Sequence, residues 1–336
     1  MQAAPDDALQ NFLIASGLAA RGEPVVWTAL TGGVSSEIWR ADIGARSVCI
    51  KRALAKLRVK ADWYAPVARN ATEWAWFETV SAIEADAVPK LLAHDPEHGL
   101  FAMAFLPAER YPLWKNRLLA GEVDVAFARS VGDTLVRIHA ATAGDASIAT
   151  RFCTDEAFHT LRIEPYLLAT AERHADLRAK IHGLAAHTAS QHRALVHGDV
   201  SPKNILMGPK GPVFLDAETA WYGDPAFDLA FCLNHLLLKV LVRPDAAAEL
   251  EASFAGLHDA YLAGVTWEPA ADAEARAAAL LPALMLARVD GKSPVEYLDT
   301  TGRDRVREFA SARLRAGMPS LAGLFAGWRR FLSLQH

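Results

Sequence analysis

Val196-His197-Gly198-Asp199-Val200-Ser201-Pro202-Lys203-Asn204-Ile205-Leu206, followed by Val213-Phe214-Leu215-Asp216-Ala217-Glu218, is the stretch on which the reading of this chain turns. Two short apolar runs, Leu195-Val196 and Val213–Leu215, flank polar loops carrying Asp, Asn, Ser and Gly, while the sequence on either side has the spacing of long helices. Backbone in polar loops set into an apolar helical region must be organised to satisfy its N–H and C=O groups, so chemistry is expected at this interruption. His-Gly-Asp alone is usually only a turn. The informative feature is the ordered set: Asp199, then Asn204, then Asp216-Ala217-Glu218, then Gly223-Asp224-Pro225-Ala226-Phe227-Asp228-Leu229-Ala230.

Together these motifs resemble the catalytic loop and metal-binding Asp of the aminoglycoside phosphotransferase and choline kinase family. The resemblance implies an α+β, bilobal protein-kinase-like fold with a small antiparallel-sheet N-terminal lobe and a mostly helical C-terminal lobe. It also implies a phosphotransferase that uses ATP or GTP with Mg2+ to phosphorylate a hydroxyl of a small-molecule acceptor. Phosphoryl transfer needs a carboxylate at the attacking hydroxyl and separate oxygen ligands for magnesium. By resemblance Asp199 accepts the hydroxyl proton, His197 holds the loop, and Lys203 completes the catalytic set. Asn204 and Asp216 bind magnesium, and Glu218 joins them. Asp-x-Glu, in place of the Asp-Phe-Gly of protein kinases, favours a small-molecule kinase, and Asp228 is expected to brace the catalytic loop through backbone hydrogen bonds.

Upstream, Pro5-Asp6-Asp7 followed by Leu9, Phe12 and Leu13 predicts a leading helix ending near Gly17. Val25–Leu30, Ile38–Ala41 and Ser47–Lys51 read as strands of antiparallel hairpins, Arg69–Ile83 as a helix, and Val88–Ala93 and Leu100–Phe105 as two further strands. The nucleotide-binding lobe therefore spans residues 1–106, with a leading helix, a five-stranded antiparallel sheet and one helix; the helical lobe with catalytic loop and acceptor site spans 107–336. Thr31-Gly32-Gly33-Val34-Ser35-Ser36 resembles the family's nucleotide-binding loop, assigning Gly32, Gly33, Ser35 and Ser36 to the phosphates, although a two-glycine hairpin is the plainer reading of those residues alone. Lys51 resembles the phosphate-pairing lysine, with Glu73 favoured over Glu78 as its partner. Met103, Ala104 and Leu106 fall where the family meets the adenine, and Pro107 marks the boundary.

Beyond Pro107 helices dominate, the clearest being Glu122–Thr142. Asp290-Gly291-Lys292-Ser293 imitates the end of a phosphate-binding P-loop, but that motif requires glycine where Leu286 stands. Arg288, Asp290 and Lys292 are candidates for the acceptor site, with a solvated helix end as the equal alternative. Trp63, Trp114, Trp221 and Trp267 offer either an aromatic box for a quaternary amine or plain core packing, and the latter is preferred.

With 336 residues, 52% hydrophobic and 22% charged, the chain can bury a large core. A net charge of −4 offers no general attraction to nucleic acid or anionic membrane. The balanced charge also disfavours polycationic aminoglycosides as acceptor, leaving a metabolite as the expected class. Three scattered cysteines fit a reducing compartment, and the acidic start is the wrong polarity for a secretory signal, so a cytoplasmic protein, monomer or homodimer, is expected. Ala277–Ala287, the longest apolar run noted, is too short to span a membrane. The rival from another class is a catalytically silent pseudokinase, against which Lys51, Asp199, Asn204 and Asp216 are all present. A peptide kinase is disfavoured by Ser201, which stands where such enzymes carry lysine.

Overall fold

A computed structural model of the chain describes residues 5–30, 36–54, 69–317 and 320–334, which fall into two units, Met1–Ala108 and Glu109–His336. In the first, Asp6 caps helix α1 (Asp7–Ala15) by accepting the Leu9 amide at 3.2 Å, and Leu9, Phe12 and Leu13 form its buried stripe. Strands β1 (Val25–Ala29), β2 (Ser36–Ile43) and β3 (Arg46–Ala53) precede helix α2 (Arg69–Ile83), and β4 (Leu91–Asp95) and β5 (Leu100–Ala104) follow it. All five strands join one antiparallel sheet in the order β1-β2-β3-β5-β4.

Strand alternation gives this sheet two different faces. Val48 and Ile50 of β3 join Trp39, Ala41, Ile43, Leu100 and Ala102 against the α1 stripe. Cys49 and Lys51 take the opposite face, beside Met103 and Phe101 of β5, and there Phe101 meets Phe77 of α2 edge-on at 6.2 Å. The β4 strand begins at Leu91 rather than Val88, because Pro89 has no amide to give to a ladder.

The second unit continues with α3 (Trp114–Ala120), α4 (Val125–Thr142), α5 (Ala146–Arg151) and α6 (Asp155–Phe158), which runs into a wide-turned segment, His159–Leu168. After α7 (Ala169–Arg173) and α8 (Arg178–Ala189) come the short strands β6 (Ala194–Val196), β7 (Ile205–Gly208), β8 (Gly211–Phe214) and β9 (Trp221–Gly223). Five helices complete the chain: α9 (Pro225–Val242), α10 (Ala247–Ala263), α11 (Ala270–Asp290), α12 (Thr300–Ala316) and α13 (Leu321–Ser333). Asp124 caps α4, accepting the Phe127 amide at 2.9 Å, so that helix begins at Val125 and leaves Glu122 outside.

Helix α9 is the centre of this unit. Asp224 caps it, Pro225 occupies its first turn, and nearly every residue after that is buried. Its 18 residues have a mean hydropathy of 1.5, enough by length and composition to cross a membrane, yet 89% of them are buried inside the protein. This window, not Ala277–Ala287, is therefore the most membrane-like helix among the described residues, and its surroundings are those of a core helix packed against α10 and α11.

Strand β6 pairs with β9 and β7 with β8, both antiparallel. These two ribbons anchor the loops 197–204 and 215–220, which carry the residues singled out by sequence.

Candidate active site

In the first unit the relevant pair is Lys51 and Glu73. Glu73 lies on the apolar face of α2 with Trp76, Phe77 and Val80, where an unpartnered carboxylate would be strongly disfavoured. Lys51 Nζ lies 2.9 Å from its Oε1 and 2.6 Å from its Oε2, both side chains being almost wholly buried. Glu78, the alternative partner, is exposed. Ser36 opens β2 and is buried opposite Ala53; Gly32, Gly33 and Ser35 lie outside the described residues. Met103 is buried in β5, while Ala104 and Leu106 are half-buried. The Ala104 amide already donates to Lys90 O at 2.8 Å, so its N–H is committed within the sheet.

The second unit carries the loop. Gly198 turns it with a φ of +79°, and a Cβ built there would come within 2.7 Å of the Thr219 carbonyl oxygen, so only glycine fits both the backbone and the space. One turn into α9, Asp228 accepts the His197 amide at 2.7 Å and the Gly198 amide at 2.9 Å, fixing the loop against the core helix. His197 closes the other side: its Nε2 sits 3.1 Å from Leu215 O and its Nδ1 takes the Asp199 amide at 3.2 Å. Burial holds the His197 ring below the ordinary histidine value against the pull of Asp228, so it is neutral near pH 7.

This scaffold delivers Asp199, buried and asymmetrically held. Arg162 Nη2 lies 2.9 Å from Oδ2 and Lys203 Nζ 3.0 Å from the same atom. Oδ1 is buried with no hydrogen-bond partner among the described residues. Burial pushes the Asp199 carboxyl up, but Lys203 and Arg162 outweigh it and hold the group below the ordinary carboxylate value. Arg162 was not legible in the sequence. It comes from the wide-turned segment His159–Leu168, donates through Nε to Gly198 O, and so grips the loop backbone as well as the carboxylate.

Asn204 is tied by Nδ2 to Asp199 O at 3.1 Å, which leaves Oδ1 as the free end of its amide. Asp216, at the end of the β7–β8 ribbon, has a φ of +65°, the one non-glycine residue in the left-handed region among the described residues. Aspartate tolerates that conformation better than most, and such strain is characteristic of functional loops. Burial lowers the affinity of Arg162 for its proton, but Asp199 first, then Tyr166, Glu218 and Asp216, more than restore it. Asn204, Asp216 and Glu218 each carry oxygen, the donor type that magnesium takes.

The three acceptor candidates separate. Asp290 is engaged by His174 Nε2 at 2.9 Å and Arg307 Nη2 at 2.8 Å, and Lys292 pairs with Glu164. Only Arg288 turns inward, where it lines a small cavity together with Lys203. The described tryptophans do not form a box: Trp114 packs edge-on against Phe127, Trp221 stacks on Phe158 at 4.2 Å, and Trp267 meets His139 and Tyr261.

A small antiparallel sheet bearing a buried Lys–Glu pair, and a helical unit bearing this Asp–Asn–Asp loop, define a kinase-like fold. A family model described as the phosphotransferase enzyme family matches residues 26–272, and the chain belongs to that family. It is similar to methylthioribose kinase 1 of Oryza sativa subsp. japonica, 26% identical over 58% of this chain and 51% of that protein. It is also similar to the methylthioribose kinase of Bacillus cereus strain ATCC 10987, 26% identical over 62% of this chain and 59% of that one. The chain thus spans little more than half the length of these curated relatives. Among solved structures, an amicoumacin kinase with AMP-PNP and Ca2+ superposes with a TM-score of 0.56 at 14% identity, covering 94% of this chain and 96% of that one. The choline kinase of Cryptosporidium parvum Iowa II gives 0.53 at 12% identity, covering 98% and 97%. At such identities the likeness is one of fold.

Proposed function

We propose that this chain is a small-molecule kinase that moves the γ-phosphoryl group of ATP to a hydroxyl of its acceptor, with Asp199 as the base. The observation that carries this reading is the asymmetry of Asp199: one oxygen pinned by two cations, the other buried with no hydrogen-bond partner among the described residues. A buried acceptor atom without a donor calls for one, and an acceptor's hydroxyl supplies it. Because Lys203 and Arg162 keep the carboxylate ionised, Oδ1 can take the hydroxyl proton at neutral pH.

As the hydroxyl oxygen bonds to the γ-phosphorus, the bond from that phosphorus to the β–γ bridging oxygen breaks, ADP departs, and the proton rests on Asp199. The transition state of such transfers is loose, so the base orients the nucleophile more than it activates it. That suits a carboxylate held below its ordinary pKa. Lys51, oriented by Glu73, is assigned to the nucleotide phosphates, with Gly32, Gly33, Ser35 and Ser36 around them and Met103, Ala104 and Leu106 at the base. Asn204, Asp216 and Glu218 would hold magnesium, which when bound neutralises charge on the β and γ phosphates. Residues 1–106 then serve the nucleotide and 107–336 the acceptor, in a cytoplasmic enzyme.

Release of ADP from magnesium–ATP, followed across sugars including methylthioribose, hydroxy acids, amino alcohols and aminoglycosides, tests the reading. At least one class is expected to release ADP, and EDTA to stop it. Binding of magnesium–ATP with no release from any acceptor would leave a silent nucleotide-binding module instead.

A further inference from the structure

The cavity that Lys203 shares with Arg288 is lined by Lys115, Pro202, His235, Lys239, Glu296 and Tyr297 as well, all from the second unit. Lys203 ties it directly to Asp199, whose Oδ2 lies 3.0 Å from its Nζ. The lining is unequally exposed. Lys203 and Glu296 have side chains 44% and 66% exposed and mark the mouth, whereas Lys239, His235 and Arg288 are 1%, 4% and 6% exposed and form the floor.

The charges do not balance. Lys115 is taken by Glu296 and Lys203 by Asp199, which leaves Lys239 and Arg288 without a carboxylate among the described residues. Among the described residues Lys239 Nζ lies 3.7 Å from the centroid of the Tyr297 ring, a contact much weaker than the loss of water around a buried ammonium. Arg288 gives Nη1 to Tyr166 OH at 3.2 Å and to the Ser293 carbonyl, but its Nε is buried with no acceptor. His235 Nε2 and Tyr297 OH are likewise buried with no hydrogen-bond partner among the described residues. Burial first, then Lys115 and Arg288, drive Lys239 down to about 7 against Glu296, the response of a cation lacking its counter-ion.

Unpartnered buried polar atoms on Arg288, His235 and Tyr297, beside a buried lysine that has no carboxylate among the described residues, form half of an ion pair. We infer that the acceptor of this enzyme carries an anionic group, a carboxylate or a phosphate, which seats on Lys239, Arg288, His235 and Tyr297 while its hydroxyl reaches Asp199. The inference rests on the kinase reading only for the hydroxyl; the anion site stands on the cavity itself. A cationic amino alcohol or aminoglycoside would meet four cations against one carboxylate in the lining, and a neutral polyol would leave Lys239 and Arg288 as uncompensated as before.

Calorimetric titration with four compounds of one carbon skeleton tests this: glycerate, glycerol 3-phosphate, glycerol and 3-aminopropane-1,2-diol. At least one anion is expected to bind tenfold or more tightly than glycerol, and the amine not at all; the better anion identifies carboxylate or phosphate. Lys239→Met and Arg288→Gln should each weaken that anion by tenfold or more, while Lys239→Arg retains most of the affinity and shows that the fold survives substitution there. Glycerol or the amine binding as tightly as both anions, no anion binding, or an anion affinity indifferent to Lys239→Met would each overturn the proposal. ADP release over the wider acceptor panel separates the two readings. Turnover confined to neutral or cationic acceptors keeps the kinase and removes the anion. Anion binding lost in Lys239→Met with no turnover anywhere keeps the anion site and removes the kinase.

Discussion

Asp199 is surrounded by groups whose sequence separations differ widely, and this explains both what the chain reveals on reading and what it conceals. Lys203 and Asn204 follow it within the same loop, and Asp216 follows on the next ribbon, so motif order exposes them. Arg162, 36 residues before Gly198 on a helical segment, belongs to no pattern: an arginine among Leu161, Ile163 and Tyr166 is unremarkable until the fold buries it. Its contribution is measurable as a positioning residue. In Arg162→Met one of the two influences holding Asp199 down is removed while burial still pushes it up, so the acid limb of kcat/KM should move to higher pH. Stability should fall by on the order of 3 kcal/mol, because a buried pair is broken on one side. An unmoved acid limb, with stability lost, would reduce Arg162 to a structural role.

At the scale of elements, long periodic segments were the most legible. Arg69–Ile83 forms α2 with the bounds its periodicity predicts, and the three-strand, helix, two-strand order of the first unit is observed. Short elements were not: β7 and β9, of four and three residues, carry no alternation that distinguishes them from loop, yet they complete the two ribbons that hold the catalytic loop. Their stability depends on the turn between them and the core, where Gly198 has no substitute. In Gly198→Ala the left-handed backbone and the encounter with the Thr219 carbonyl act together, and a loss of about 2 kcal/mol or more is expected by urea unfolding. Turnover should fall with it, since Asp199 is the next residue. A variant as stable and as active as the native chain would show that the loop has slack absent from this geometry.

Across the whole molecule, net charge concealed the most informative electrostatic feature. A formal charge of −4 reads as balanced, yet the fold gathers Lys115, Lys203, Lys239 and Arg288, with His235 and Tyr297, around a cavity whose one carboxylate is Glu296. Buried Lys239 has its pKa lowered from 10.5 to about 7, so between those values the folded chain binds fewer protons than the unfolded one. Stability therefore rises with pH across that window, by up to about 1.4 kcal/mol per unit from this group. Lys239→Met should be at least as stable as the native chain at pH 7 and should flatten that rise, as read by urea unfolding at several pH values. Parallel curves for the two proteins would mean that Lys239 keeps its proton throughout. The role of Asp199 as base is tested by turnover and magnesium–ATP affinity measured side by side in the native chain and in Asp199→Ala. Because the base touches the acceptor and not the nucleotide, turnover should fall by about a hundredfold or more while nucleotide affinity stays within a few fold. Full turnover in that variant, or a loss confined to nucleotide binding, would contradict the assignment.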